Sequence, residues 1–355
     1  DRPEFTTWTF PGGTPSVLLP AQSESFQGLV TGTNLTLVPN SAQVHYSING
    51  AAFQVAAAVE GAPGSYTLTI PAAACLDNVD YYLSVDTNLG RRTFPANAPA
   101  ALLGSAPVRT GTNDLFADDF EADRGWVVGP STATTGVWQR ADPVLASTSG
   151  VISQPEDDTT PTPGTLCFVT GASGGTNGAN DIDGGLTTLT SPTYNLAGAG
   201  DVEISYNRWY SNSTGSAPGA DIFVIDVSTN NGTTWTRAET VGPSGAGTTG
   251  GWIAAKWRLG ALGLAPTAQV KVRFIAEDAG SGSVVEALID DFKITEIICD
   301  LPGCPADIDG DDDVDSDDIV IFFTTWDQGE QDYDGDGDTD SDDIVAFFGD
   351  WDSGC

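Results

Sequence analysis

The chain has 355 residues, room for several domains, and carries 49 acidic against 13 basic residues, a formal net charge of −36. So negative a chain repels phosphate backbones and anionic lipid surfaces, which argues against nucleic acid as a partner. Against membrane insertion, no apolar run approaches the roughly 20 residues of a membrane-spanning helix. A single histidine, His45, rules out multi-histidine zinc sites, and 42 glycines with few Lys and Glu favour strands and turns over helices. The absence of methionine reads as a processed or partial chain. Five cysteines among so few bases point to an exported protein that is extracellular or held at the cell surface.

Residues 1–108 read as short strands separated by turns. Val44-His45-Tyr46-Ser47-Ile48 alternates, Asn49-Gly50 marks a two-residue hairpin turn, and Ala52-Phe53-Gln54-Val55 returns. Ser65–Ile70 and Tyr81–Val85 repeat the period of two, the second closed by Asn88-Leu89-Gly90. The strand at Val44, the Asn-Gly turn, the Tyr81-Tyr82 strand and the Thr87–Gly90 turn together resemble the bacterial immunoglobulin-like modules appended to secreted hydrolases. The resemblance implies an immunoglobulin-like or fibronectin-like sandwich.

Residues 109–113 read as a linker, and 114–299 as a longer β-rich domain. Its strand signals include Trp126–Val128, Gly136–Gln139, Leu166–Val169, Val202–Tyr206, Ile222–Val227, Val270–Ile275 and Val284–Ile294, which fit a two-sheet jelly roll. Asp118-Asp119-Phe120-Glu121 with Trp126 opens the domain and Ile289-Asp290-Asp291-Phe292 closes it. This pairing resembles the jelly rolls of carbohydrate-binding and receptor-type adhesive domains. The resemblance implies adjacent first and last strands sharing one calcium, with Glu121 and Asp290 as ligands and Asp119 and Asp291 beside them. The Asp181-Ile182-Asp183-Gly184 turn permits another calcium. Trp209 and Tyr210 are candidates for stacking on a glycan, and the Thr-rich 158–163 segment for carrying one.

Residues 300–355 hold the strongest signal. Segments 306–330 and 331–355 are identical at 16 of 25 positions, and the stretch from Pro305 has 19 acids and no base. Calcium takes six to eight oxygens, and a 12-residue loop supplies them from positions 1, 3, 5, 7, 9 and 12. These are Asp307, Asp309, Asp311, Asp313, Asp315 and Asp318 in the first loop, and Asp332, Asp334, Asp336, Asp338, Asp340 and Asp343 in the second. Each loop leads into a predicted helix whose apolar residues fall at i, i+3, i+4 and i+7: Ile319, Phe322, Phe323, Trp326, then Ile344, Phe347, Phe348, Trp351. The paired loop and helix resemble a dockerin. Asp312 stands where the sixth loop position takes glycine, which predicts a weaker first site. Cys304 and Cys355 bracket the repeat and are expected to form a disulfide, with Cys167–Cys299 as a further pairing.

Nothing in the sequence assembles a catalytic constellation. Gly171-Ala172-Ser173-Gly174-Gly175 has the spacing of a nucleophile elbow but no helix after it, and His45 lies in another domain. A glycosidase pair among Glu203, Asp226, Glu277 and Glu286 finds no support in their spacing, and Glu286 is expected to pair with Arg208 or Arg273. The expectation is therefore a non-catalytic extracellular structural or adhesive protein. It would bind two calcium ions in the C-terminal repeat and one more in the jelly roll, and associate with itself or another extracellular protein. The alternative is the accessory tail of a secreted polysaccharide-degrading enzyme or peptidase, binding glycan and docking to a partner.

Overall fold

Alternating apolar and polar side chains set the strands, because successive Cβ atoms on an extended chain point to opposite faces. The computed structural model describes residues 3–280, 282–299, 305–309 and 314–353. Strands make up 45% of the chain and helix 7%, so the protein is mainly β. It divides into two compact units: residues up to Gly111 together with those from Cys299 onward, and Thr112–Ile298.

The first unit contains β1 (Phe5–Thr9), β2 (Glu24–Thr33), β3 (Gln43–Ile48), β4 (Gln54–Ala57), β5 (Val59–Glu60), β6 (Ser65–Ile70), β7 (Asn78–Thr87), β8 (Gly90–Phe94) and β9 (Gly104–Pro107). One sheet runs β1-β2-β6-β5 and the other β4-β3-β7-β8, with β9 also on β7. Tyr66, Leu68 and Ile70 from the first sheet and Val79, Tyr81, Leu83 and Val85 from the second are fully buried in one core, which makes the pair a sandwich. At the β3–β4 turn Asn49 and Gly50 both have positive φ, +51° and +73°, as a type I′ turn requires. The ladder itself starts later, at Tyr46 opposite Gln54, so the hairpin loop is longer than the two residues expected.

The second unit begins with β10 (Gly111–Asp118), β11 (Val127–Ser131), β12 (Trp138–Ala141), β13 (Ala146–Thr148), β14 (Val151–Gln154), β15 (Cys167–Thr170) and β16 (Gly185–Thr190). It continues with β17 (Asp201–Gly215), β18 (Phe223–Ser228), β19 (Thr236–Val241), β20 (Ile253–Arg258), β21 (Lys271–Asp278) and β22 (Ser283–Ile298). Its sheets run β12-β15-β22-β17-β20, with β10 on β22, and β11-β16-β21-β18-β19; β13 and β14 form a separate ribbon. The two sheets enclose a core rich in aromatics, including Phe120, Trp126, Tyr210, Phe223, Phe274 and Phe292, and form a jelly-roll sandwich. The first and last strands of the unit are neighbours, as the opening and closing motifs imply.

At the C-terminal end, α1 (Ser316–Trp326) and α2 (Ser341–Ser353) pack through equivalent positions of the repeat. Phe322 and Phe347, 25 residues apart, stack with ring centroids 4.2 Å apart and planes 13° apart. The Trp326 indole donates to the Asp340 carbonyl at 2.9 Å, so the first helix is tied to the second loop. Neither helix has enough apolar surface to be stable alone, and the shared aromatic stack is what holds them.

The disulfides differ from expectation. Cys75 and Cys299 are bonded, and Cys167 is a buried free thiol packed against Val169, Trp209 and Leu288. A Cys167–Cys299 bond is thereby excluded. Cys75 lies in a loop between strands, where no sequence periodicity marks a partner 224 residues away. Cys304 and Cys355 lie outside the described residues. In the chain-entropy description the Cys75–Cys299 closure, across 224 residues, stabilises by about 5 kcal/mol. Peptide mapping without reductant should recover Cys75 and Cys299 in one linked fragment and Cys167 as a thiol; Cys299 joined to any other cysteine would contradict the structure.

Candidate metal centres

Each helix of the repeat starts from a loop whose twelfth-position aspartate is almost fully buried, Asp318 and Asp343 being 1% exposed. A buried carboxylate needs donors, and the loop supplies its own backbone. Asp318 Oδ1 accepts from the amides of Ile308 (2.6 Å) and Asp309 (3.2 Å), and Oδ2 from Asp315 (2.9 Å). Asp343 repeats the pattern with Tyr333 (2.6 Å), Asp334 (3.2 Å) and Asp340 (2.7 Å). Burial disfavours the charged form of both, but these amides outweigh it and hold both carboxyls below the ordinary aspartate range. Asp315 completes a capping box on α1, accepting from the Asp317 amide at 2.7 Å.

The loops gather three acids apiece. Oxygens of Asp307, Asp309 and Asp318 lie within 4.8 Å of one another, as do those of Asp332, Asp334 and Asp343, and either trio could hold a metal ion. Among the described residues, the remaining ligand candidates Asp315, Asp336, Asp338 and Asp340 fall outside these trios. Asp336 Oδ1 accepts from the Asp338 amide at 3.1 Å, and Asp340 Oδ1 caps α2 by accepting from Asp342 at 2.8 Å. Asp338, exposed between Asp336 and Asp340, has its carboxyl raised by the charges of those two neighbours. Asp311 and Asp313 lie outside the described residues, as does Asp312. At the matching sixth position of the second loop, Gly337 has φ +98°, a conformation that favours glycine and explains the residue there.

In the jelly roll, the acids of the two motifs converge on one loop by means of a bulge. Ser205 pairs with Lys293 and Asn207 with Asp290, so β22 carries one residue more than β17 across this step, and Asp291 has φ +49°. On a regular strand Asp290 and Asp291 would face opposite sides; here both reach Thr159. Asp290 Oδ2 accepts from the Thr159 amide (2.7 Å) and hydroxyl (2.8 Å), and Asp291 Oδ2 lies 2.7 Å from the same hydroxyl and 2.9 Å from Asn207 Nδ2. Glu121 Oε1 accepts from the amides of Thr165 and Leu166, each at 2.7 Å. Asp119 is exposed, and its carboxylate accepts from the Glu121 amide at 3.2 Å, holding the turn.

Asp158, which no motif marks, joins this group: burial first, then the charges of Glu121 and Asp291, raise its carboxyl, and its Oδ2 is buried without a hydrogen-bond partner. Burial likewise pushes Asp290 up to about 6 against the donors at Thr159. Among the described residues these acids do not close into a trio within 4.8 Å. The sequence treats 158–163 as an exposed loop for glycan; Thr159 instead faces inward, bound to two aspartates. In the Asp181–Gly184 turn, Thr135 Oγ1 donates to the Asp181 carbonyl (2.9 Å) and Asp183 Oδ2 (3.1 Å).

Two further expectations need correction. Trp209 is 8% exposed with its indole bound to the Ser153 carbonyl, and Tyr210 is fully buried against Phe223, so neither presents a ring face to a glycan. Glu286 pairs with neither arginine: it is 2% exposed and accepts from Thr170 Oγ1 at 3.0 Å, while Arg208 binds Glu239 and Arg273 binds Asp226. Asp226 is also bound by Arg237, and Glu203 by Lys256. His45 is stacked on Tyr82 at 4.4 Å and bonded to Ser84.

Burial raises the Glu286 carboxyl well above its ordinary value, only partly opposed by Thr170. The folded state therefore holds this proton more tightly than the unfolded chain. Its stabilising contribution is full below the unfolded carboxylate range and is lost as pH rises towards the folded value. Glu286→Gln should accordingly match the parent's melting temperature near pH 4 and exceed it at pH 8, each kcal/mol appearing as about 2–4 °C. An equal difference at both pH values would contradict a neutral buried glutamate. For the loops, Asp318→Asn or Asp343→Asn should each cost one bound metal ion per chain by calorimetric titration, and the double variant both. An unchanged count would remove these residues from the metal centres.

No family model matches the chain, and no curated protein does. Solved structures similar to it include carbohydrate-binding modules of the β-sandwich superfamily (12% identity, 82% of this chain and 98% of that one, TM-score 0.33). Others are the K1 cleaved adhesin domain of Lys-gingipain from Porphyromonas gingivalis (14%, 52% and 97%, TM-score 0.31) and the N-terminal tandem CBM22 domain of Paenibacillus barcinonensis Xyn10C (12%, 81% and 93%, TM-score 0.28). At these TM-scores the likeness establishes neither a common fold nor a ligand, and the fold rests on the strand topology itself.

Proposed function

We propose that the chain is a non-catalytic extracellular calcium-binding protein, a structural or adhesive subunit whose C-terminal repeat supports assembly. The observation that carries the reading is the pair of carboxylate trios at equivalent positions of an internal repeat, each centred on a buried aspartate. Their donors are oxygen only, which selects a hard cation over zinc or copper. The 12-residue spacing and ligand count favour Ca2+ over Mg2+, which keeps most of its waters. On this reading residues 1–108 are an immunoglobulin-like module, 114–299 an adhesive-type jelly roll and 300–355 a dockerin-like module, with Glu121, Asp158, Asp290 and Asp291 around a further calcium. The Cys75–Cys299 bond supports an oxidising, extracellular location.

One observation favours a second reading, an accessory glycan-binding region. A cleft of about 350 Å3 in the jelly roll is lined by Arg208, Glu239, Lys256 and Trp257, combining an aromatic ring with ion-paired polar groups. Sugars are bound by that combination of a flat apolar face and directional donors and acceptors.

Electron microscopy of the full chain in calcium and after chelation separates the two. Ordered multimers that come apart on chelation are the expected result. Single particles under both conditions would overturn the assembly reading, and retention on a polysaccharide that falls at least tenfold in Trp257→Ala would then support the accessory one.

A further inference from the structure

The jelly roll buries a second acidic site, away from both motifs. β18 pairs with β21 antiparallel, with Phe223 opposite Ala276. Asp221 lies two residues before β18 and Asp278 closes β21, so both stand at the same end of this strand pair. Like charges brought together on a strand pair are unfavourable even at a surface, and these two are buried, Asp221 at 3% exposure and Asp278 at 0%. The Ala279 amide donates to Asp221 Oδ1 at 3.0 Å, leaving Oδ2 without a hydrogen-bond partner, and neither oxygen of Asp278 has one. Among the described residues, no ion pair includes either aspartate.

The opposite sheet adds neutral oxygens. Tyr210 and Asn212 lie two apart on β17 and so share the inward face; Tyr210 stacks on Phe223, the residue two beyond Asp221. Asn212 Nδ2 donates to the carbonyls of Asp221 (2.7 Å) and Pro243 (3.1 Å), which fixes the amide orientation. Its Oδ1 is buried and unpartnered, and so is the Tyr210 hydroxyl. Backbone closes in as well: a Cβ on Gly242 would meet the Asp221 carbonyl at 2.8 Å. Burial and then the Asp221 charge raise the Asp278 carboxyl, with the nearby Gly280 amide offsetting part of the effect. The Tyr210 hydroxyl is raised too, first by burial and then by the charges of Asp221, Glu277 and Asp278. Both carboxylates, the Asn212 amide oxygen and the Tyr210 hydroxyl are thus buried together, with no base in the described ion pairs to balance the two charges.

We propose that Asp221, Asp278 and Asn212 hold a hard divalent cation, calcium by ligand class, between the two sheets of the jelly roll. A cation there removes the like-charge penalty and satisfies the carboxylate and amide oxygens together. The Tyr210 hydroxyl sits beside it as a neutral neighbour. The site is independent of the C-terminal loops and of the group around Thr159.

Two measurements on the full chain test it. Crystals grown in calcium should show an anomalous peak about 2.3–2.6 Å from carboxylate oxygens of both Asp221 and Asp278. In solution, Asp221→Asn with Asp278→Asn should bind one calcium fewer per chain than the parent. A well-ordered map with water or no density at that position would overturn the proposal, as would a folded double variant with the parent's calcium count. The crystal measurement uses the unaltered chain and decides the matter if the variant does not fold.

Discussion

An aspartate placed against another aspartate must find compensation, from backbone amides, from a base, or from a cation, and this constraint shapes every acidic feature of the protein. Bases are too few to serve: 13 Lys and Arg face 49 acids. The arginines present are concentrated on a few jelly-roll partners, two of them on Asp226 alone. Asp318 and Asp343 use amides, three apiece, and those bonds form the loops around them. With three amides committed to each twelfth-position residue, the other two acids of each trio lie within 4.8 Å of that carboxylate and of one another, a concentration of charge that a cation would relieve. On the proposed reading, folding of the repeat and cation binding are one process.

The sandwich unit meets the same constraint with sheet geometry. A bulge at Asp291 turns two consecutive aspartates towards one threonine, and Asp221 and Asp278 stand buried at one end of the β18–β21 pair. In both places the strands bring the charges together and the loops decide what neutralises them.

Much of this was legible in the sequence. The alternating run at Ser65–Ile70 and the apolar run at Ile222–Val227 mark strands to within a residue, and the 25-residue repeat with its aromatic spacing marks both helices. The acids at loop positions 1, 3 and 12, which the structure gathers into trios, could be named from the spacing of the repeat. What could not be read were contacts whose partners are remote. Asp158 and Asn207 join the motif acids only through a bulge and a loop return, and Cys75 meets Cys299 across 224 residues. Burial was equally hidden: Trp209 and Tyr210 alternate on one strand, yet both faces of that strand are covered. Glu286 looks like a partner for arginine, but the arginines were already taken by Glu239 and Asp226.

The central claim is that the C-terminal repeat folds around its cations. Hydrogen exchange at the amides of Ile308, Asp309, Asp315, Tyr333, Asp334 and Asp340, the donors to Asp318 and Asp343, tests it most directly. The account predicts strong protection in calcium and near-unfolded rates in chelator, with the β-strand amides protected in both. Equal protection of these six amides with and without calcium would contradict it.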